Sequence, residues 1–302
     1  MFRRLFLRAA WLGLLLCSGL PASGVAAERA GTLGRIAETA TINLGHRESS
    51  VPFSFYDGRR QVVGYSHDLM LRVADEVKRE LKLPALTLRL VPVTSQNRIP
   101  LVVNGAVDLE CGSTSNTSER ARQVAFSTSI FVVGTRLLVR RGSPVKDFTD
   151  LPGRKVVVTA GTTSERLLRA WSEQHGSKVQ LLTARDHDDA FRVLQAGQVE
   201  ALMLDDALLY GERAKAARPD DWVITGTPMS QEAYGCMMRR DDAAFKAVVD
   251  RALTRLLTSG EALKLYTKWF QRPIPPRGLN LNFPPSEAVL QLFRRPGDQP
   301  LP

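Results

Sequence analysis

Two stretches of the chain repeat one pattern, and that pattern restricts the fold. In the first, the apolar run Ile99, Leu101, Val102, Val103 stops at Asn104-Gly105, continues as Val107-Asp108-Leu109-Glu110-Cys111, and reaches Ser113. In the second, Ala190 to Ala196 stops at Gly197, continues as Val199 to Leu204, and ends on Asp205. Glycine after an apolar run of helical period terminates a helix, and the β-type run that follows reads as a strand. The glycine-to-polar spacing is the same in both. Each unit delivers a polar residue to the carboxyl end of a strand, where open α/β sheets bind ligands.

Other segments fall into step with these two units. Thr41–Leu44, Leu86–Val91, Val132–Arg140, Val156–Val158 and Val179–Leu182 read as strands. Ser66 or His67 opens an amphipathic helix carrying Leu69, Leu71, Val73, Ala74 and Val77, and Gly161-Thr162-Thr163-Ser164 feeds a helix with Leu167, Leu168 and Trp171. Strands alternating with helices of this length imply an α/β fold with largely parallel sheets, and the doubled unit implies two lobes with a site between them. Residues 28–40 read as a polar lead-in, and Asp241–Trp269 as two helices split at Ser259-Gly260. Residues 271–302, rich in proline, should wrap a surface and end loosely.

The N-terminus has Arg3, Arg4 and Arg8, an apolar run to Leu20, and the small residues Val25-Ala26-Ala27. That is the order of a secretory signal cleaved after Ala27, and the run is short for a membrane span of about 20 residues. About 275 residues remain, enough for two modest lobes. Loss of those arginines lowers the formal net charge from +10 to about +7. Basic residues are scattered among acidic ones without long blocks, which argues against nucleic acid as a partner. Cys111 and Cys236 both lie in strand-like runs. An oxidising compartment would allow them one disulfide, and two buried thiols fit the sequence as well.

Basic and hydroxyl residues gather in the loops after strands: Arg47, Ser95, Arg98, Ser113, Arg120, Thr163 and His187. A guanidinium fork suits a carboxylate, and a Gly-Thr-Thr-Ser turn before a helix offers amides and hydroxyls to an anion. That turn lacks the lysine of a nucleotide-binding loop. His187 is placed in a loop, and its charge is left open. If cationic, it would weaken anion binding as pH rises through its pKa. Asp205 either caps the next helix or pairs with an ammonium. His46, His67, His175 and His187 lack metal-ligand spacing, there is no nucleophile elbow, and Glu48 and Glu165 read as loop or helix-start carboxylates. No cofactor or metal is expected. The residues suit holding a small anion, not breaking a bond.

The segments GHRESSVPFSF, TSQNRIPLVVNGAVDLECGSTSNTSER, AFSTSIFVVGTRLL, VTAGTTSERLL and YGCMMRRDD resemble the periplasmic solute-binding proteins of polar amino-acid ABC transporters, in particular those that bind L-glutamate and L-aspartate. The resemblance runs from about Thr41 to the C-terminal region. It implies a two-lobed periplasmic binding protein of type II, with two crossing strands as a hinge and a ligand cleft. The implied order is a signal peptide at 1–27, a first lobe at 28–135, a second at 136–229, and a return to the first at 230–302. The resemblance further implies that Arg120 grips the α-carboxylate, that Asp205 takes the ammonium with Ser113 and Ser115, and that Arg47, Arg98, His187, Ser95 and Thr163 surround a side-chain carboxylate. Ser115 stands where the family pattern has threonine. The implied partner is an inner-membrane ABC permease and the implied state a monomer. Rival readings on the same fold are a periplasmic enzyme resembling cyclohexadienyl or arogenate dehydratases, and an amino-acid sensing module.

Overall fold

The structure is a computed structural model that describes residues 31–301. The leader read at 1–27 lies outside them. Two sheets form the frame of two lobes. The first runs, in spatial order, Thr87–Pro92, Thr41–His46, Leu109–Glu110, Met237–Arg239, Val124–Phe126. Its first three strands are parallel, and the last two join antiparallel. The second runs Gln180–Ala184, Lys155–Thr159, Ala201–Asp205, Phe131–Arg140, Trp222–Thr225, again parallel in its first three strands and antiparallel afterwards. Each parallel run puts its carboxyl ends, and the loops after them, on one edge of its lobe.

The lobes are joined by a two-stranded crossing. Phe131–Gly134 pairs antiparallel with Gln231–Tyr234, Phe131 opposite Tyr234 and Gly134 opposite Gln231. The first of these strands then continues into the second sheet, where Leu138 lies opposite Leu202. Phe131 and Tyr234 also enter an aromatic cluster with Phe53, Tyr65, Tyr266 and Phe270. Edge-to-face and offset rings of this kind add about 0.5–1.5 kcal/mol per pair beyond their burial. The crossing is therefore anchored at its first-lobe end.

The repeated unit has a matching backbone. Gly105 at φ +77° and Gly197 at φ +69° both sit in the left-handed region after a helix, where a side chain would be strained. The helices are Arg98–Val103 and His187–Gln195, and the strands are Leu109–Glu110 and Ala201–Asp205. The first strand is thus shorter than the run Val107–Cys111.

Several expectations change. Residues read as a polar lead-in include a helix, Thr32–Thr39, docked by the Thr32 amide donating to Asp242 Oδ2 at 2.7 Å. With only Leu33 and Ile36 as its buried apolar residues, it is too short to show a period. The expected loose C-terminal end instead forms helix Glu287–Arg294, capped by Ser286, and buries Val289 and Phe293. Beyond it, Asp298 pairs with Lys246 at 3.0 Å and accepts from Asn116 Nδ2 at 2.7 Å. His187 is not in a loop but opens a helix whose N-cap, Asp186, accepts from the Asp189 amide. Cys111 and Cys236 form a disulfide, Cα–Cα 4.4 Å, within the first lobe.

Candidate functional site

Arg47 follows the strand Thr41–His46, and Arg98 is the first residue of its helix. Both are buried to 2 % exposure. Arg98 Nη1 donates to Ser113 O at 3.1 Å and Thr114 Oγ1 at 2.5 Å, and Thr114 Oγ1 donates to Glu110 Oε2 at 2.9 Å. Glu110 is fully buried. A Cβ on Gly112 would meet Glu110 Oε1 at 2.6 Å and Arg47 Cγ at 2.9 Å, so the glycine lets these two side chains approach. Burial lowers the pKa of both arginines, that of Arg98 to about 10, and Glu110 opposes this for each. Arg98 stays cationic at neutral pH. Burial raises Glu110, while Arg98 and Arg47 draw it back. Sequence reading placed Glu110 in a strand and gave it no role. Its only signal is a carboxylate beside a Cys-Gly pair in a strand-like run that also holds Asp108.

Arg120 opens a 3₁₀ turn after the Ser/Thr loop and is half-buried. Nη1 donates to Ser115 O at 3.0 Å, and Nη2 donates across the cleft to Gly161 O at 3.2 Å. Burial lowers its pKa to about 10, with nearby Arg98 adding to the effect. Ser113 and Ser115 are buried on the same loop, Ser113 Oγ lying 3.4 Å from Ser50 Oγ.

The second lobe faces this with different chemistry. Thr162 caps helix Thr163–Gln174 by accepting from the Glu165 amide. This leaves Thr163 Oγ1 free to donate to Glu232 Oε2 at 2.8 Å. His187 Nδ1 lies 2.8 Å from Thr159 Oγ1. Burial, then Arg47, Lys215 and Arg98, hold its pKa well below the ordinary value, so the imidazole is neutral. The cationic option, and the loss of affinity with rising pH attached to it, is withdrawn. Asp205 occupies an N-cap position but makes no capping bond. Its Oδ1 accepts from Thr135 Oγ1 at 3.2 Å, and Tyr234 OH donates to Oδ2. Burial and then Glu232 raise its pKa to about 7.

Four buried atoms of the sequence-predicted set have no hydrogen-bond partner: Arg47 Nη1, Ser95 Oγ, Arg98 Nε and His187 Nε2. Buried polar atoms are nearly always paired, and leaving one unpaired costs about 1–3 kcal/mol. These four atoms come from both lobes. The lobes are closed over them. A Cβ on Gly161 would meet Ser95 O at 2.9 Å and Gln96 N at 3.0 Å across the cleft. A surface groove of about 650 Å³ lies elsewhere, between the crossing strands and the C-terminal helix, and none of these residues borders it. Among the described residues, no three His, Cys, Asp or Glu side chains are grouped to hold a metal, and no helix is long and apolar enough to cross a membrane.

The chain is 56 % identical over 281 residues to the L-glutamate/L-aspartate-binding protein of Pseudomonas aeruginosa, covering 93 % of each. It is 52 % identical over 291 residues to the glutamate/aspartate import solute-binding protein of Escherichia coli K12, covering 96 % of each. Among solved structures, holo ArgBP from T. maritima matches with a TM-score of 0.67 at 28 % identity, over 78 % of this chain and 98 % of that one. Residues 42–272 match the model of the bacterial extracellular solute-binding proteins, family 3. With that match over most of its length, and two relatives above half identity, the chain belongs to the bacterial extracellular solute-binding proteins of family 3.

Proposed function

We propose that this protein captures L-glutamate or L-aspartate between its lobes and delivers it, unchanged, to an inner-membrane ABC permease. The observation that carries the reading is the set of orphaned polar atoms from Arg47, Arg98, Ser95 and His187, buried together with no protein carboxylate completing them. A dicarboxylic amino acid supplies what they lack. Its side-chain carboxylate accepts from Arg47, Arg98 and Ser95, with Thr163 beside it, and from His187 Nε2–H when Thr159 donates to Nδ1. Its α-carboxylate meets Arg120, and its ammonium meets Asp205, with Ser113 and Ser115 beside it. A neutral side chain would leave Arg47 and Arg98 unpaired, which rejects it. The names of the two bacterial relatives point to the same ligand class.

The protein works as a periplasmic monomer after loss of its leader at Ala27. The first lobe spans 28–135 and 230–302, and the second 136–229. A thermal-shift screen of the twenty amino acids on the mature protein tests the ligand class. Glutamate and aspartate should raise Tm by several degrees and the neutral amino acids by little. A larger shift with a neutral or basic amino acid would refute it.

A further inference from the structure

Glu232 belongs to no expected role, yet it enters the site from the return strand of the crossing. It is 8 % exposed. Thr163 Oγ1 donates to Oε2 at 2.8 Å, and Ser230 Oγ donates to Oε1 at 2.9 Å. Thr135 Oγ1 lies 3.4 Å from Glu232 Oε1 and 3.2 Å from Asp205 Oδ1. The same hydroxyl lies 2.8 Å from Ser230 Oγ, so Thr135 and Ser230 together bridge two buried carboxylates. Among the described residues, no lysine or arginine forms an ion pair with either. Two like charges held this way in a poorly solvated site favour retention of a proton.

We infer that Glu232 is a second carboxylate of the ammonium subsite, and that in the empty cleft Asp205 carries a proton which the ligand's ammonium displaces. This rests on the reading above, in which Asp205 receives the ammonium. The step balances simply. The Asp205 O–H bond breaks, the proton leaves to solvent, and the ammonium takes its place between two carboxylates. Glu232 also links the event to the hinge, since its strand carries Tyr234, whose hydroxyl donates to Asp205.

Of the two carboxylates, Asp205 is the one whose pKa is raised to about 7, by burial and then by Glu232. Tyr234 is held protonated, its pKa well above the ordinary value through burial and Asp205. Asp206, the next residue, adds to the upward shift of Asp205 and accepts from the amides of Ala207 and Gly134. Arg120 and Arg98 act from the first lobe through space and remain cationic. Burial, then Arg47, Lys215 and Arg98, hold His187 well below its ordinary pKa before ligand is bound. Burial and then Glu232 raise the Asp205 pKa with the lobes closed and no ligand beside it, and an ammonium there would lower it. Binding should therefore release a proton below about pH 7. Affinity should be full above that pH and should fall below it, toward about tenfold per pH unit.

Calorimetric titration of the mature protein with L-glutamate, in buffers of different ionisation enthalpy, counts the protons. The wild type should release more than about half a proton at pH 6 and almost none at pH 8, and bind about tenfold more weakly at pH 6. Glu232→Gln keeps an acceptor for Thr163 and removes the second charge. It should move the release to lower pH and weaken binding at pH 8. Binding at both pH values with no proton release by the wild type overturns the inference, as does an unchanged release profile in folded E232Q. The wild-type count needs no variant. Failure of the wild type to bind either acidic amino acid at pH 8 would instead refute the functional reading.

Discussion

The two walls of the cleft are built on the same helix–glycine–strand unit and carry opposite chemistry. The first-lobe wall holds Arg47, Arg98 and Arg120, with buried Glu110 as internal counter-ion. The second wall and the hinge hold hydroxyls, a neutral imidazole, and the carboxylates of Asp205 and Glu232. A zwitterion with an additional carboxylate is matched by neither wall alone. Closure is what brings anion donors and ammonium acceptor to one molecule, so binding and closure are one equilibrium. The first wall is also the more rigidly made, for the Cys111–Cys236 disulfide lies beside Glu110 and Gly112.

The largest expected break comes from the first wall. Arg98→Ala removes a buried cation and strands Glu110 and the ligand carboxylate. Glutamate affinity should fall by about 3–5 kcal/mol, and glutamine affinity by much less, in parallel calorimetric titrations. Equal losses would mean that Arg98 does not read the side chain. Next, Cys111→Ala with Cys236→Ala should lower stability by about 2–4 kcal/mol in denaturant melts, because the disulfide closes a long loop. Ligand selectivity should survive, since no cysteine meets the ligand. A change in selectivity would show that the disulfide sets the first wall's geometry.

Gly161→Ala addresses the seam between the walls. At φ +77°, with first-lobe backbone within about 3 Å of the added carbon, it opposes the closed form more than the open one. Affinity should fall by about 1–2 kcal/mol. Small-angle scattering should show less compaction on ligand addition. Unimpaired compaction would place the closing contact elsewhere. The smallest effect belongs to Ser115→Thr, which restores a methyl beside an unchanged hydroxyl and should alter affinity by under about 0.5 kcal/mol.

Much of the frame was legible because it is periodic. The apolar runs, their glycine stops and the polar residues just past strand ends pointed to two lobes and to eight of the candidate residues, while Ser115 came only from the family resemblance. What escaped was what periodicity does not encode. Thr32–Thr39 and Glu287–Arg294 are short helices with two buried apolar residues each. They are held by distant partners, Asp242 for the first and hinge-side packing for the second. Glu110 and Glu232 escaped because each looks like one more carboxylate in a strand, and only the tertiary fold puts Arg98 against one and Asp205 near the other. The neutrality of His187 depends first on its burial, then on Arg47 and Lys215, which only the tertiary fold brings near. The cysteines were visible, but their pairing required the return strand to be placed beside Leu109–Glu110.

The central claim is that two oppositely charged walls select an amino acid with a second carboxylate. Calorimetric titration of the mature protein with glutamate and with glutamine at pH 8 tests it most directly, since the two ligands share a shape and differ in whether the side chain ends in a carboxylate or a neutral amide. The account predicts at least about a hundredfold preference for glutamate, or roughly 2.7 kcal/mol. Comparable affinity for the two would contradict it.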